Sequence, residues 1–324
     1  MGHATTTIAE ALADAITGQR TVVAKRVSRA RKGDVAAVHR ARVASRRMRE
    51  ALLVAATVGA PGGVDRLRRD VRLVTRALGP VREIDVVIEE FEVAEQRHDW
   101  SPDRVAAVQR RLEQERERRR AEMAESLDGL SRSWLRDRAR AAAAEIGGQT
   151  SAKDQDAWWR ALAQHVIERT DDVVRAVEEC GTLYAPERLH RVRIAVKKLR
   201  YAVEFLCEQS RPDVRHASKV LKRAQKRFGH LHDVQMLLTR IQSLATSGRR
   251  TALTPGFRAM VDALERDCRR IHGRLLPYFP KLTYSLVALR RDLTERLRHR
   301  RLPMAKAALG SRRTPLGRRR VEVA

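Results

Sequence analysis

Aromatic residues are scarce in this chain, with five Phe, four Trp and four Tyr among 324 residues. That scarcity argues against a surface that stacks unpaired nucleobases, because such surfaces interleave rings with cations. Cysteine is scarcer still. Cys180, Cys207 and Cys268 are odd in number and widely spaced, which fits buried, reduced thiols in a cytosolic protein better than a disulfide framework. No apolar run reaches the roughly 20 residues a bilayer requires. The first twenty residues lack a basic segment followed by an apolar core, so neither a membrane span nor a secretory signal is expected. Carboxylates are also in deficit: 40 Asp and Glu face 67 Lys and Arg, a formal charge of +27. Such an imbalance costs stability through self-repulsion and points to a polyanionic partner. Glycine and proline are few, and no stretch sustains a period-two alternation. Ala, Leu, Val, Arg and Glu dominate instead, the composition of an all-α chain long enough for two domains with cores of their own.

The most informative stretch is residues 189–206, LHRVRIAVKKLRYAVEFL. Leu189, Val192, Val196, Leu199, Val203 and Leu206 recur at steps of three and four and mark a buried seam. One residue along run His190, Arg193, Lys197 and Arg200, within an arc of roughly 80° at about 100° per residue. Ile194, Tyr201 and Phe205 border the stripe on its other flank. A cationic row between two apolar margins suggests a charged groove that needs an anion.

The pattern occurs twice. Shifted by 151 positions, His39, Arg42, Arg46 and Arg49 fall on His190, Arg193, Lys197 and Arg200. A second block follows in each half, where Arg69, Arg72 and Arg76 correspond to Lys219, Lys222 and Lys226, again on one helix face. Gly79 falls on Gly229 and Glu83 on Asp233. The chain reads as an internal duplication whose copies exchange Arg and Lys but keep the positive charge.

Taken in order, helices are expected over about 5–31, 35–58, 64–78, 81–96, 101–126 and 134–144, with stops at Gly33-Asp34, the glycine-rich 59–63 turn and Gly79-Pro80. Residues 147–151 read as a linker. The second half repeats the order: helices over 156–180, from Pro186, from Pro212 to Gly229, onward past Asp233, over 255–276 and over 282–298. Residues 302–324, with Arg312, Arg313 and Arg318, read as a disordered basic tail. The expected domains are 1–148, 149–301 and that tail, each helical half an antiparallel bundle joined by short loops.

The HxxRVxxRRxR block, its partner HxxRIxxKKLRY and the glycine segments that follow resemble the CHAD family (conserved histidine α-helical domain). The resemblance runs from about residue 8 to residue 300, with two motifs in the same order in both halves. It implies two pseudo-symmetric helical bundles around a central basic pore, with inorganic polyphosphate as ligand and residence on polyphosphate granules in the cytoplasm. The implied binding residues are His39, Arg42, Arg46, Arg49, Arg69, Arg72 and Arg76, with His190, Arg193, Lys197, Arg200, Lys219, Lys222 and Lys226. The halves are not identical. Glu50 stands where the second has Tyr201, and Arg82-Glu83-Ile84-Asp85 where it has His232-Asp233-Val234-Gln235.

The residues themselves leave alternatives open. Either stripe alone reads equally as solvated helix surface, since Arg and Lys snorkel past apolar seams. Against polyphosphate, Arg would fork across two oxygens, Lys would supply a mobile point charge, and affinity would fall with salt. His39 and His190 read as phosphate donors or as histidines satisfied in a helix interface. HxxR sets a cation one turn from each, and no HxxxH or HExxH pair occurs, so no metal or other cofactor is expected. Glu83 and Asp233 read as acids at helix starts or as partners of stripe cations. Trp134, Trp158 and Trp159 read as packing.

No P-loop, GxSxG elbow or paired-carboxylate site occurs, and Glu113, Glu115 and Glu117 lie in a helical run rather than an acidic strand. The chain is therefore expected not to be an enzyme, with a phosphorylated His39 or His190 as the exception to test. A generic nucleic-acid or polyanion binder is the competing reading. It fits the charge but lacks stacking rings and an exposed basic helix.

Overall fold

The computed structural model describes residues 7–58, 62–128, 132–149, 151–207, 212–246 and 255–301, and every regular element in them is helical. Helix α1 (Ile8–Ala30) starts on a capping box: the Thr7 hydroxyl accepts from the Glu10 N–H while the Glu10 carboxylate accepts from the Thr7 N–H. Gly33, at φ +86°, turns the chain through a left-handed conformation that a side chain would resist. Asp34 then caps α2 (Val35–Thr57) by accepting from the Ala37 N–H. The first half continues with α3 (Gly62–Glu95), α4 (Pro102–Asp128) and α5 (Arg132–Gly147). The second runs through α6 (Ala152–Cys180), α7 (Pro186–Cys207), α8 (Pro212–Thr246) and α9 (Pro255–Leu275). A single 3-10 turn then leads into α10 (Phe279–Arg301).

Within the first half α1 packs on α2 and α5, α2 on α3, and α3 on α4. In the second, α6 packs on α7, α7 on α8, and α8 on α9 and α10. The halves meet where α2 touches α7 and α3 touches α8. The seam read from α7 is buried throughout, from Leu189 at 2 % exposure to Leu206 at 1 %. Burying each such side chain contributes about 1.5–3 kcal/mol, and that fixes which way the neighbouring stripe faces.

Two expected breaks do not exist. α3 passes through Gly79-Pro80 and α8 through Gly229 without interruption, so four expected helices are two. Pro80 removes one backbone donor, but its ring faces solvent, while Leu78, Val81 and Ile84 on either side are buried. That packing outweighs the local cost of proline and glycine. Gly79 has another function. A Cβ there would lie 2.8 Å from the Arg42 guanidinium, so the glycine admits a close approach rather than ending a helix. Glu83 and Asp233 are consequently mid-helix residues and cap nothing.

Within the segment expected to join the halves, Gln149 is anchored to α6. The Gln149 side chain accepts from the Trp158 indole at 3.0 Å and its carbonyl accepts from Gln155 at 2.8 Å. Trp158 and Trp159 are buried, as are the free thiols of Cys180 and Cys268. The side chains of Trp134 and Cys207, and the whole of 302–324 with its arginines, lie outside the described residues. No helix among the described residues is long and apolar enough to cross a membrane.

Candidate functional site

A partly enclosed cavity of about 400 Å³ lies where α2, α3, α7 and α8 converge. Helix α2 sends in His39, Arg42 and Arg46, and α7 sends in His190, Arg193, Lys197 and Tyr201. Each set follows from the seam: with Leu189, Val192 and Val196 packed inward, residues one step along must face the crossing helix. Helix α3 adds Arg82 and Glu83, and α8 adds Gln225, His232 and Asp233, with Gly229 leaving room between them. Both helix pairs are antiparallel. On one side Arg42 meets Glu83 while Ser45 bonds Thr75; on the other His190 meets His232 while Arg200 bonds Gln225.

Six of the residues expected from the sequence line this cavity: His39, Arg42, Arg46, His190, Arg193 and Lys197. The other eight lie outside it. Arg49 is half-buried beside Arg46 and feels Arg72 and Arg76. Arg69, Arg72 and Arg76 are exposed along α3, and Lys219, Lys222 and Lys226 along α8; none of these six forms an ion pair among the described residues. Arg200 is turned away, ion-paired to Glu204 with its guanidinium 4.4 Å over the Tyr201 ring. Arg82 and His232 belong to the cavity and were not singled out from the sequence. Their signal was the fixed step of three from Gly79 and Gly229, which is a helix-face relation only if the helix continues.

Charge inside the cavity is unbalanced. Arg42, Arg46, Arg82, Arg193 and Lys197 face Glu83 and Asp233. Arg82 is committed to Glu89 by two bonds of 2.9 and 3.2 Å, and Arg42 lies 3.6 Å from Glu83. Arg46, Arg193 and Lys197 form no ion pair among the described residues. Burial, then repulsion from Arg46, Arg193 and Arg42, pushes the Lys197 ammonium down to about 6. Arg42 falls to about 10, chiefly through burial and then Arg46. His232 is driven down to about 3 by burial, Arg193, His190 and Lys197. Burial also lowers His39 and His190 and raises Asp233, the last against the pull of Arg193.

The two histidines at one rim, His190 and His232, face each other Nδ1 to Nδ1 at 3.3 Å. One of those nitrogens must accept, so the pair cannot be doubly protonated on these atoms. Among the described residues no three His, Cys, Asp or Glu side chains gather as a metal-ligand set. The arrangement therefore concentrates donors and positive charge around a space that phosphate oxygens would fill.

Glu50 and Tyr201, paired by the sequence pattern, sit in different surroundings. Tyr201 lines the cavity, whereas Glu50 is buried 3.6 Å from His165 on α6. Of these two positions paired by the sequence pattern, one side chain lines the cavity and the other lies between helices.

Comparison with known proteins places the fold. The chain superposes on the crystal structure of the CHAD domain from the plant Ricinus communis with a TM-score of 0.54 at 21 % identity, covering 87 % of this chain and 91 % of that one. It superposes on PptA from Streptomyces chartreusis with a TM-score of 0.53 at 18 % identity, covering 87 % and 99 %. No curated protein matches the sequence. The family profile described as CHAD domain matches residues 14–242, well over half the chain and every residue that lines the cavity. The chain belongs to the CHAD domain family.

Proposed function

We propose that the cavity binds inorganic polyphosphate, without turning it over, and that this carries the protein to polyphosphate granules in the cytoplasm. The observation that carries the reading is the convergence of Arg46, Arg193 and Lys197, none ion-paired among the described residues, on one partly enclosed space. A polyphosphate chain is narrow, flexible and charged at every unit, so it can enter where a duplex cannot. Guanidinium forks and an ammonium match its oxygens without reading any base. Of the described Phe, Trp and Tyr side chains Tyr201 alone is at the lining, beside three histidines, and its face is taken by Arg200, which disfavours single-stranded nucleic acid. Family membership supports the same ligand through the resemblance described above.

The test is the fourfold reversal Arg42→Glu, Arg46→Glu, Arg193→Glu, Lys197→Glu. Binding of long-chain polyphosphate should be abolished while circular dichroism keeps its helical signal; retained binding overturns the site. Competition by RNA at equal phosphate concentration should leave the polyphosphate complex in place, and efficient displacement would make this a generic polyanion binder. Incubation with polyphosphate and divalent metals should release no phosphate and leave His39 and His190 unphosphorylated. Imaging in cells with and without polyphosphate tests the granule assignment.

A further inference from the structure

A second cavity of about 450 Å³ adjoins the basic one and is more open to solvent. The two share Glu83, His190, His232 and Met236 in their linings, so they abut with the histidine pair at the boundary. Their chemistry differs sharply. Beyond the junction the wall is Val87, Pro186 and Met236 with the amide and hydroxyls of Gln235, Thr239 and Ser243. Its charged groups are Glu83, Glu187 and Arg240, and Arg240 is already held by Glu115 at 2.9 Å. A bare phosphate chain running on into this vestibule would meet two carboxylates and no uncommitted cation, which is a repulsive element against it. A neutral, partly apolar group carrying N–H and O–H donors would meet apolar surface and two acceptors. Each cavity is of small-molecule size, within the range of about 300–1,000 Å³ typical of ligand pockets.

We propose that the adjoining cavities take a nucleoside oligophosphate, its phosphates among Arg42, Arg46, Arg193 and Lys197 and its nucleoside in the vestibule. The inference rests on the reading of the basic cavity as a phosphate-chain site and adds a ligand class to it. The base lies against Met236, Val87 and Pro186, and Glu83 and Glu187 accept from ribose hydroxyls or an exocyclic amine. The phosphates pass the His190–His232 pair, which turns an N–H toward them.

The test compares tripolyphosphate with ATP and GTP by calorimetry on the full chain, in metal-free buffer at matched ionic strength. The nucleotides carry fewer negative charges than tripolyphosphate, so charge alone makes them weaker ligands. Vestibule contacts reverse the order and make at least one nucleotide tighter by on the order of tenfold. Thr239→Trp, an exposed position on α8, should remove that advantage while tripolyphosphate stays within about twofold. In the unmodified protein, saturation-transfer NMR should show the base protons of the bound nucleotide in contact with the chain, which keeps the test independent of how the variant folds. Nucleotides no tighter than tripolyphosphate, or base protons without transfer, overturn the inference. Both outcomes leave long-chain polyphosphate binding as a separate titration, whose failure would overturn the underlying reading instead.

Discussion

The two halves line the same cavity with different kinds of charge. Helices α2 and α3 bring His39 and Arg82 together with Arg42 and Arg46, two guanidiniums that burial lowers but that stay charged across the physiological range. Helices α7 and α8 bring Arg193 but also Lys197, His190 and His232, all of which burial and neighbouring cations drive toward their neutral forms. Where α3 presents Arg82, locked to Glu89, α8 presents His232, bonded to His190. One wall therefore rests mainly on guanidiniums, with His39 as its titratable member. The other has Arg193 as its fixed cation and otherwise holds groups whose charge would be favoured by a nearby anion. A cavity with both walls fixed would carry the full repulsion in the empty state; one with both walls titratable would bind weakly at neutral pH.

The largest effect that sharpens this contrast is on pH. In the empty protein Lys197 titrates near 6, and a phosphate chain beside it moves it back toward its ordinary value of 10.5. Between those limits the complex holds more protons than the free protein. Affinity should therefore rise as pH falls from about 9 to about 6, by up to about tenfold per pH unit for one proton. It should level off once the free protein is itself protonated. Calorimetry in buffers of different ionisation enthalpy should report net proton uptake. Lys197→Arg makes the second wall resemble the first, and should flatten the profile while keeping affinity at pH 6.

A smaller effect concerns stability of the unliganded fold. The unfolded chain protonates Lys197 more readily than the folded one between about 6 and 10.5, so this lysine lowers stability increasingly as pH falls through that window. Lys197→Met keeps the apolar stem and should raise Tm, with a gain that grows toward pH 6 and is flat below it. The same variant should bind polyphosphate less well, a trade of function for stability. A thermal shift that does not change with pH would place the lysine in a less crowded field.

The smallest effects belong to the outer rows. Arg72→Ala and Lys222→Ala remove exposed charges screened by solvent and salt, and each should cost about threefold or less at physiological ionic strength. The loss should shrink further at higher salt. Equal losses from these and from Arg193→Ala would mean that the chain binds along the outside instead.

Much of this was legible in the residues and some was not. The α7 seam, its cationic neighbours and the starts at Pro186, Pro212 and Pro255 all follow from spacing and cap chemistry, because those depend on residues within one or two turns. The continuity of α3 and α8 does not. Gly79-Pro80 is a local stop signal, and what overrides it is the burial of Leu78, Val81 and Ile84 against other helices, which no window of sequence contains. With the break assumed, Arg82 and His232 fell on a different element from Arg76 and Lys226. Arg200 shows the opposite error. Its partner Glu204 stands four residues on, the spacing of a helical ion pair, and that local cue competes with the stripe for the same guanidinium. Lys197 and Arg193 have no acid at that spacing, and they are the residues left facing the cavity.

Gly79 gives the wall a peculiar vulnerability. A single hydrogen occupies the space that Arg42 leans into. Alanine there would gain the helix little, since a Cβ just before Pro80 crowds the proline ring, and it would nudge a flexible guanidinium off its perch beside Glu83. One bare position thus serves two neighbours at once, sparing the proline ring behind it and seating the arginine in front, so an exchange made for the sake of either would disturb the other.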